Sequence, residues 1–318
     1  MTVGILLVGG FGTRLKPLTT ESPKPMLPVA GLPVTEHQLL AAKKAGIHTL
    51  VLATSYLAEV FTPYFGDGAK WGIKILYAVE KEPLGTGGAI RNAAQLLGRE
   101  EPIVVFNGDV LSRHSIADQI AFHTANKADV TLHLIDVEDA RAFGCVPTDA
   151  QGRVTAFLEK MDNPVSKSIN AGCYIFSPDV IDEIPFGKVV SVERETFPKL
   201  VADGRLVFGY KDQSYWLDVG NPAALFKGSR DLIDGDFQAM PRTTIAADAI
   251  ITGGTSIGFD CSIGAGARIH DCIIGNKVTI GAGVELSQSF IFHGTDVASG
   301  VKKSHHYLST TADLPISL

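Results

Sequence analysis

Three glycines in four positions, Gly9, Gly10 and Gly12, follow the first apolar run and lead into Thr13 and Arg14. Glycines there let the chain turn sharply, so that successive backbone N–H groups converge on an anion. Arg14 adds a rigid cationic fork matched to phosphate oxygens. The turn is not a Walker A loop, because no Gly-Lys-Ser/Thr closes it. Nor is it a dinucleotide fingerprint, which needs a glycine where Leu15 stands. Shortly after, Pro23 and Pro25 stiffen the chain around Lys24 and hold its stem a few residues from the glycines. The chemistry these residues suit is phosphate binding. A carboxylate, Asp109, follows another apolar run in Phe106-Asn107-Gly108-Asp109, and a further one, Asp218, lies in Trp216-Leu217-Asp218-Val219-Gly220.

The elements that must position these groups alternate along the first part of the chain. Gly4–Val8, Thr49–Ala53, Ile73–Val79, Ile103–Phe106 and Val130–Ile135 have strand length and β-rich composition. Thr35–Ala45, Gly87–Leu97 and Ser115–Ala125 carry helical spacing; the first follows Pro33 and stops at Gly46. Strand and helix in alternation imply a mainly parallel, Rossmann-like sheet with helices on its faces. Ligands then bind beyond the carboxyl ends of the strands, where Gly9 and Asp109 fall.

After Pro241 the period changes. Apolar residues lead units at Ile245, Ile251, Ile257, Ile263 and Ile269; one spacing of five brings Ile274, and Ile280 and Leu286 follow. Small residues follow most of these leads. This is the hexapeptide pattern of a short left-handed β-helix in which each lead points inward. The expected division is a Rossmann-like α/β domain over 1–240, the β-helix over 241–297 and a solvated tail over 298–318. Lys302, Lys303, His305 and His306 belong to that tail.

Composition narrows the class. The chain has 318 residues, of which 45% are hydrophobic and 19% charged, outside the range of disordered chains. A formal charge of −6 argues against nucleic-acid binding through bulk positive charge. No apolar run is long enough for a membrane span, and Met1–Arg14 reads as a strand entering a loop, not a signal peptide. The cysteines, Cys145, Cys173, Cys261 and Cys272, form no CxxC pair, so neither a disulfide scaffold nor a zinc cage is indicated. A soluble cytoplasmic protein is expected.

Gly9-Gly10-Phe11-Gly12-Thr13-Arg14-Leu15-Lys16-Pro17-Leu18-Thr19, followed by Pro23-Lys24-Pro25, resembles the signature of the sugar-1-phosphate nucleotidyltransferases. The resemblance spans roughly residues 1–230, and hexapeptide tails occur in that family. It implies that Asp109 and Asp218 hold Mg2+, that Arg14 and Lys24 are catalytic, and that Val8, Gly9, Gly10, Gly12 and Thr13 hold the nucleotide. Glu80-Lys81-Glu82-Pro83-Leu84-Gly85-Thr86 is similar to the loop of the guanylyltransferases, which assigns Leu84, Gly85 and Thr86 to the base. Gly144, Glu159, Lys160, Asn170 and Glu193 match positions on the sugar side. Met161 departs from the family pattern, which often has proline after the Glu-Lys pair. From Val146 to Asp218 the chain is most similar to bacterial mannose-1-phosphate guanylyltransferases.

The activity implied is GTP plus mannose 1-phosphate giving GDP-mannose and pyrophosphate. The nucleophile is a phosphate oxygen, anionic near neutral pH, so no protein base is required. Alignment and charge neutralisation would carry the rate in a single in-line displacement. The same chemistry on another sugar or cyclitol phosphate, or with another nucleotide, stays open, as does a regulatory homologue that only binds sugar nucleotides. A CoA-dependent acyltransferase is a further alternative, because such enzymes also use hexapeptide β-helices. A homodimer or larger homo-oligomer is expected.

Overall fold

The computed structural model describes residues 2–10, 12–55, 58–98 and 101–318. Phe11, inside the glycine-rich motif, lies outside the described residues. By density of internal contacts the chain divides into two units. One comprises Met1–Gly10 and Gln38–Trp216; the other comprises Phe11–His37 and Leu217–Leu318.

The first unit is built on a nine-stranded sheet. Strands Lys74–Val79, Ile47–Thr54, Thr2–Leu7 and Ile103–Asn107 lie side by side and parallel. The last three of these are almost continuously apolar and buried, as expected of strands covered on both faces. Leu7 pairs with Ala53 and with Asn107, so the first, second and fourth of the apolar runs end at one sheet edge. The parallel order breaks at Ser168–Phe176, which runs antiparallel to Ile103–Asn107 and to Val130–Asp136. Gly144–Cys145 and Leu158–Glu159 add a short antiparallel pair beside it. Helices Val34–Lys44, Gly85–Ala93 and Ile116–Ala125 appear where the helical spacing placed them. The last is capped by Ser115, whose hydroxyl accepts from Asp118 N–H at 3.2 Å. The core beneath the sheet is a continuous set of aliphatic and aromatic side chains, with Ile5, Val51, Val105, Leu132, Tyr174, Phe176 and Phe197 among its members.

In the second unit, strands from Phe237–Ala239 onward stack into three parallel ladders. Their rungs put Ile257, Ile263, Ile269, Ile274, Ile280 and Leu286 into one apolar interior. This is a parallel β-helix. The spacing of five recurs: Ile274 pairs with Ile291 and Ile291 with Leu308, so each later coil takes one residue fewer on that side. The segment 298–318 is not a solvated tail. Lys302–Ser304 and His306–Leu308 add further rungs, and Asp313–Pro315 folds back antiparallel on the last of them. The pattern fades in sequence because Lys303 occupies the register of Leu286, a lead position where apolar residues otherwise stand. Its ammonium pairs with Asp313 at 2.7 Å.

Two of the three outer faces of this helix carry exposed residues, such as Ser262, Thr279 and Asp296 on one and Arg268, Glu285 and Lys302 on another. On the third, Ser256, Ile273, Phe290 and Tyr307 are fully or almost fully buried. The same unit contains helix Pro222–Leu232, whose Arg230 bonds Asp271 of the β-helix at 2.6 Å, and the segment 12–37.

Candidate active site

Within the first unit, three expected site segments leave the sheet at one edge. Gly9 and Gly10 follow the strand Thr2–Leu7, and Asp109 follows the strand Ile103–Asn107 that pairs with it. Glu80 follows Lys74–Val79, with its N–H on Thr54 O at 2.9 Å. Val8 beneath the turn is buried, while Gly9 and Gly10 are exposed and Asp109 is half-buried. The turn bearing Asp109 is clamped by a residue that no motif pointed to. Gln38 Nε2 donates to Asn107 O at 2.6 Å and to Val110 O at 2.8 Å, one bond on each side of Gly108-Asp109. The available signal was a glutamine on the buried face of an otherwise ordinary helix, which must find a partner.

The loop expected to meet the base is a compact turn. Leu84 N–H donates to Glu80 Oε2 at 3.0 Å, and burial raises the Glu80 carboxyl above its ordinary 4.5. Gly85 has φ +69, and a Cβ there would lie 2.6 Å from Val190 O, so no other residue fits. Leu84 O accepts from Val190 N–H at 2.9 Å, and Gly87 N–H returns to Val190 O at 2.8 Å.

This loop is tied to residues expected on the sugar side. The Thr86 hydroxyl donates to Glu193 Oε2 at 2.7 Å and accepts from Val192 N–H at 2.9 Å. Ser191 Oγ donates to the same Glu193 oxygen at 2.9 Å. The Thr86 side chain is thus committed to Glu193 and the Val192 N–H. Glu159, opposite Gly144 in the short antiparallel pair, is half-buried. Burial raises its carboxyl above the ordinary 4.5; Lys160 and Arg194 pull it down and Glu193 pushes it up. Lys160, exposed and at φ +46, lies 3.8 Å from Glu159 Oε1. Glu159, Lys160, Met161, Glu193 and Arg194 line an open cleft of about 420 Å³. Asn170 sits where the strand Ser168–Phe176 bulges. Its Nδ2 donates to Tyr174 Oη at 2.9 Å and its Oδ1 accepts from Gly172 N–H at 3.1 Å.

Within the second unit, Arg14, Lys24 and Asp218 are brought together. Gly12, at φ +55, opens a single turn Thr13–Leu15. A Cβ on Gly12 would lie 3.0 Å from Lys24 Cβ, so the glycine turn and the proline-flanked turn are in contact. Thr19 secures this packing, its hydroxyl donating to Gly12 O at 3.0 Å. Lys24–Met26 is itself one turn, tied down by Thr35 Oγ1 donating to Pro25 O at 2.9 Å. The hairpin that follows is held by Ser229 Oγ accepting from Ala30 N–H at 3.0 Å and by Gln238 Nε2 donating to Ala30 O at 3.0 Å. A Cβ on Gly220 would lie 3.0 Å from Asp218 Oδ2 and 3.3 Å from Arg14 Nη2, so the carboxylate and the guanidinium flank one glycine. Arg14 is exposed, and Lys24 and Asp218 are half-buried.

Among the described residues no group of three or more His, Cys, Asp or Glu side chains could hold a metal. Two carboxylates with the remaining positions left to substrate phosphates and water is the donor set that suits Mg2+.

A parallel-core α/β unit with a glycine-rich phosphate turn, continued by a hexapeptide β-helix, defines a class, and comparison with known sequences agrees. The family model "Nucleotidyl transferase" matches residues 3–235, and "Bacterial transferase hexapeptide (six repeats)" matches 254–288. The chain belongs to the nucleotidyl transferase family and is a nucleotidyltransferase. It is 48% identical to the mannose-1-phosphate guanylyltransferase of Mycobacterium tuberculosis, over 85% of this chain and 79% of that one. It is 37% identical to probable mannose-1-phosphate guanylyltransferase 3 of Oryza sativa subsp. japonica, over 86% and 75% respectively. Among solved structures, HddC from Yersinia pseudotuberculosis aligns with a TM-score of 0.63 at 27% identity, over 73% of this chain and all of that one. HddC has also been solved with GMP-PN, with a TM-score of 0.62 to this chain.

Proposed function

We propose that this enzyme transfers the guanylyl group of GTP to mannose 1-phosphate, releasing GDP-mannose and pyrophosphate. The observation that carries the reading is the second unit's cluster, in which the Gly12 turn, Lys24, Arg14 and Asp218 converge. It is supported by the two mannose-1-phosphate guanylyltransferases to which the chain is similar, and by the guanine nucleotide bound to HddC.

In this reading an oxygen of the sugar phosphate attacks the α-phosphorus of GTP, and the bond to the β-phosphate oxygen breaks in line. The leaving pyrophosphate takes the electron pair, and no protein base is needed because the nucleophile is already anionic. Arg14 and Lys24 offset the charge that grows on the leaving group and on the pentacovalent centre. The backbone of Val8, Gly9, Gly10, Gly12 and Thr13 holds the nucleotide phosphates. Asp109 and Asp218 are the residues that would hold Mg2+. When bound, the ion neutralises phosphate charge and polarises the α-phosphorus.

Leu84 and Gly85 present backbone groups to the base, with Thr86 shaping the loop. On the sugar side, Glu159 and Glu193 accept from hydroxyls, Asn170 donates or accepts, Lys160 meets the sugar phosphate, and Gly144 lets the sugar approach. We place the reaction in the cytoplasm and the enzyme in a homodimer or larger homo-oligomer; no described helix is long and apolar enough to cross a membrane.

The test is pyrophosphate release with Mg2+, crossing GTP, ATP, UTP and dTTP with mannose, glucose and other hexose or cyclitol 1-phosphates. A dominant signal for GTP with mannose 1-phosphate is expected. A dominant signal for another pair would keep the chemistry and overturn the specificity.

A further inference from the structure

Glu21 lies in the chain between Arg14 and Lys24, and the far end of the molecule holds it. Tyr307 Oη donates to Glu21 Oε1 at 3.1 Å, and the Thr311 hydroxyl donates to the same oxygen at 3.3 Å. Both donors sit on the hairpin that closes the β-helix, His306–Leu308 with Asp313–Pro315. Its turn is fixed by Ser309, whose Oγ accepts from Thr311 N–H at 3.2 Å and Ala312 N–H at 3.0 Å. Tyr307 is fully buried, and its ring stacks on Phe290 at 5.9 Å. A buried ring needs no hydroxyl for packing; a hydroxyl there must have a partner, and this one donates to Glu21 while the Ser309 side chain also bonds it. Burial and the Glu21 carboxylate both push the phenol up, so it remains a neutral donor across the working pH range.

We propose that this hairpin is a post for the phosphate-binding segment: Tyr307 and Thr311 fix Glu21, and through it the loop whose two ends carry Arg14 and Lys24. Tyr307, Thr311 and Glu21 are then positioning residues. The packing of Gly12 on Lys24 ties the loop's ends together, and the Glu21 contact ties its middle to the last coil of the β-helix. The hexapeptide repeats accordingly contribute to turnover without touching substrate. This rests on the reading that Arg14 and Lys24 serve the transferring phosphates.

The experiment uses the full-length enzyme and reads kcat and KM for both substrates alongside the melting temperature. Tyr307→Phe keeps the stacked ring and removes only the hydroxyl. It should lower kcat on the order of fivefold, the effect of one lost hydrogen bond, with KM for the sugar phosphate unchanged. Glu21→Ala should lower kcat at least as far, and Glu21→Gln, which keeps an acceptor oxygen, should recover most of that loss. Tyr307→Phe added to Glu21→Ala should cost nothing more. Thr311→Ala, at an exposed position, supplies a smaller fall in kcat if the tyrosine variant folds poorly. Wild-type kcat with a lowered melting temperature in Tyr307→Phe and Thr311→Ala would overturn the proposal. So would equal losses in Glu21→Gln and Glu21→Ala. Arg14→Ala in the same assay separates the two readings. If it turns over normally, the phosphate assignment fails. If it is impaired while Tyr307→Phe and Thr311→Ala are not, only the post fails.

Discussion

On the proposed sugar side, the residues hold one another. Thr86 and Ser191 both donate to Glu193, Asn170 bonds Tyr174, and Glu159 faces Gly144 across two short strands. On the proposed phosphate side, Arg14 and Lys24 are carried by short turns; Thr35 holds the second turn, Tyr307 holds Glu21 between the two, and Ser229 and Gln238 hold the hairpin that follows. The difference is one of division of labour. The sugar side is a hydrogen-bonded network that can discriminate hydroxyls, because an unsatisfied partner is costly there. The phosphate side places fixed charge on a scaffold, which serves charge developing in the transition state.

The comparison can be broken most severely at the carboxylates. Asp109→Asn or Asp218→Asn removes an expected Mg2+ ligand and should lower turnover on the order of 10³-fold, since metal-assisted charge stabilisation is worth several kcal/mol. The melting temperature should stay near wild type; near-wild-type rates would remove both residues from the metal assignment. Arg14→Ala should cost on the order of 10² to 10³ in kcat, as for other electrostatic donors. Steady-state kinetics at saturating substrate would check it. Glu193→Gln should behave in the opposite sense, raising KM for the sugar phosphate on the order of tenfold, the value of one charged hydrogen bond, with kcat retained. Gln38→Leu opens the clamp around Asp109, and kcat should fall roughly tenfold through two lost hydrogen bonds. Unchanged kinetics would make Gln38 a packing residue only.

The smallest expected effect at neutral pH grows in acid. In the first unit, burial and, after it, the stacked His114 lower His133 from 6.5 to about 3, and burial lowers His123 from 6.5 to about 4. Folded-state values below the unfolded one mean that the folded chain binds fewer protons. Stability from these groups is therefore full above pH 6.5 and is lost as pH falls through the window down to about 4 and then 3. The loss should approach about 1.4 kcal/mol per pH unit for each imidazole. Both tryptophans, Trp71 and Trp216, belong to this unit, so their fluorescence in urea reports it directly. A midpoint that does not move between neutral and mildly acidic pH would contradict the burial of these imidazoles.

Much of this was legible in the sequence. The apolar runs gave the parallel core, because strands covered on both faces are apolar throughout. The leads from Ile245 to Leu286 gave the β-helix, because its interior repeats. The glycine turn and Asp218 were singled out through chemistry and resemblance. What was not legible is what depends on partners distant in sequence. Nothing local says that Thr86 meets Glu193, that Gln38 straddles Asp109, or that Glu21 meets Tyr307. The antiparallel course of Ser168–Phe176 is set by its neighbours in the sheet, not by its own composition. The last coil was missed because Lys303 breaks the apolar period while its backbone keeps the register.

The most direct test of the division of labour is a single kinetic comparison of Arg14→Ala with Glu193→Gln. It follows pyrophosphate release from GTP across a range of mannose 1-phosphate concentrations. The account predicts that Arg14→Ala loses kcat with little change in KM for the sugar phosphate, and that Glu193→Gln raises that KM with kcat preserved. If both variants change the same constant in the same proportion, the two sides do not have separate tasks, and the account is contradicted.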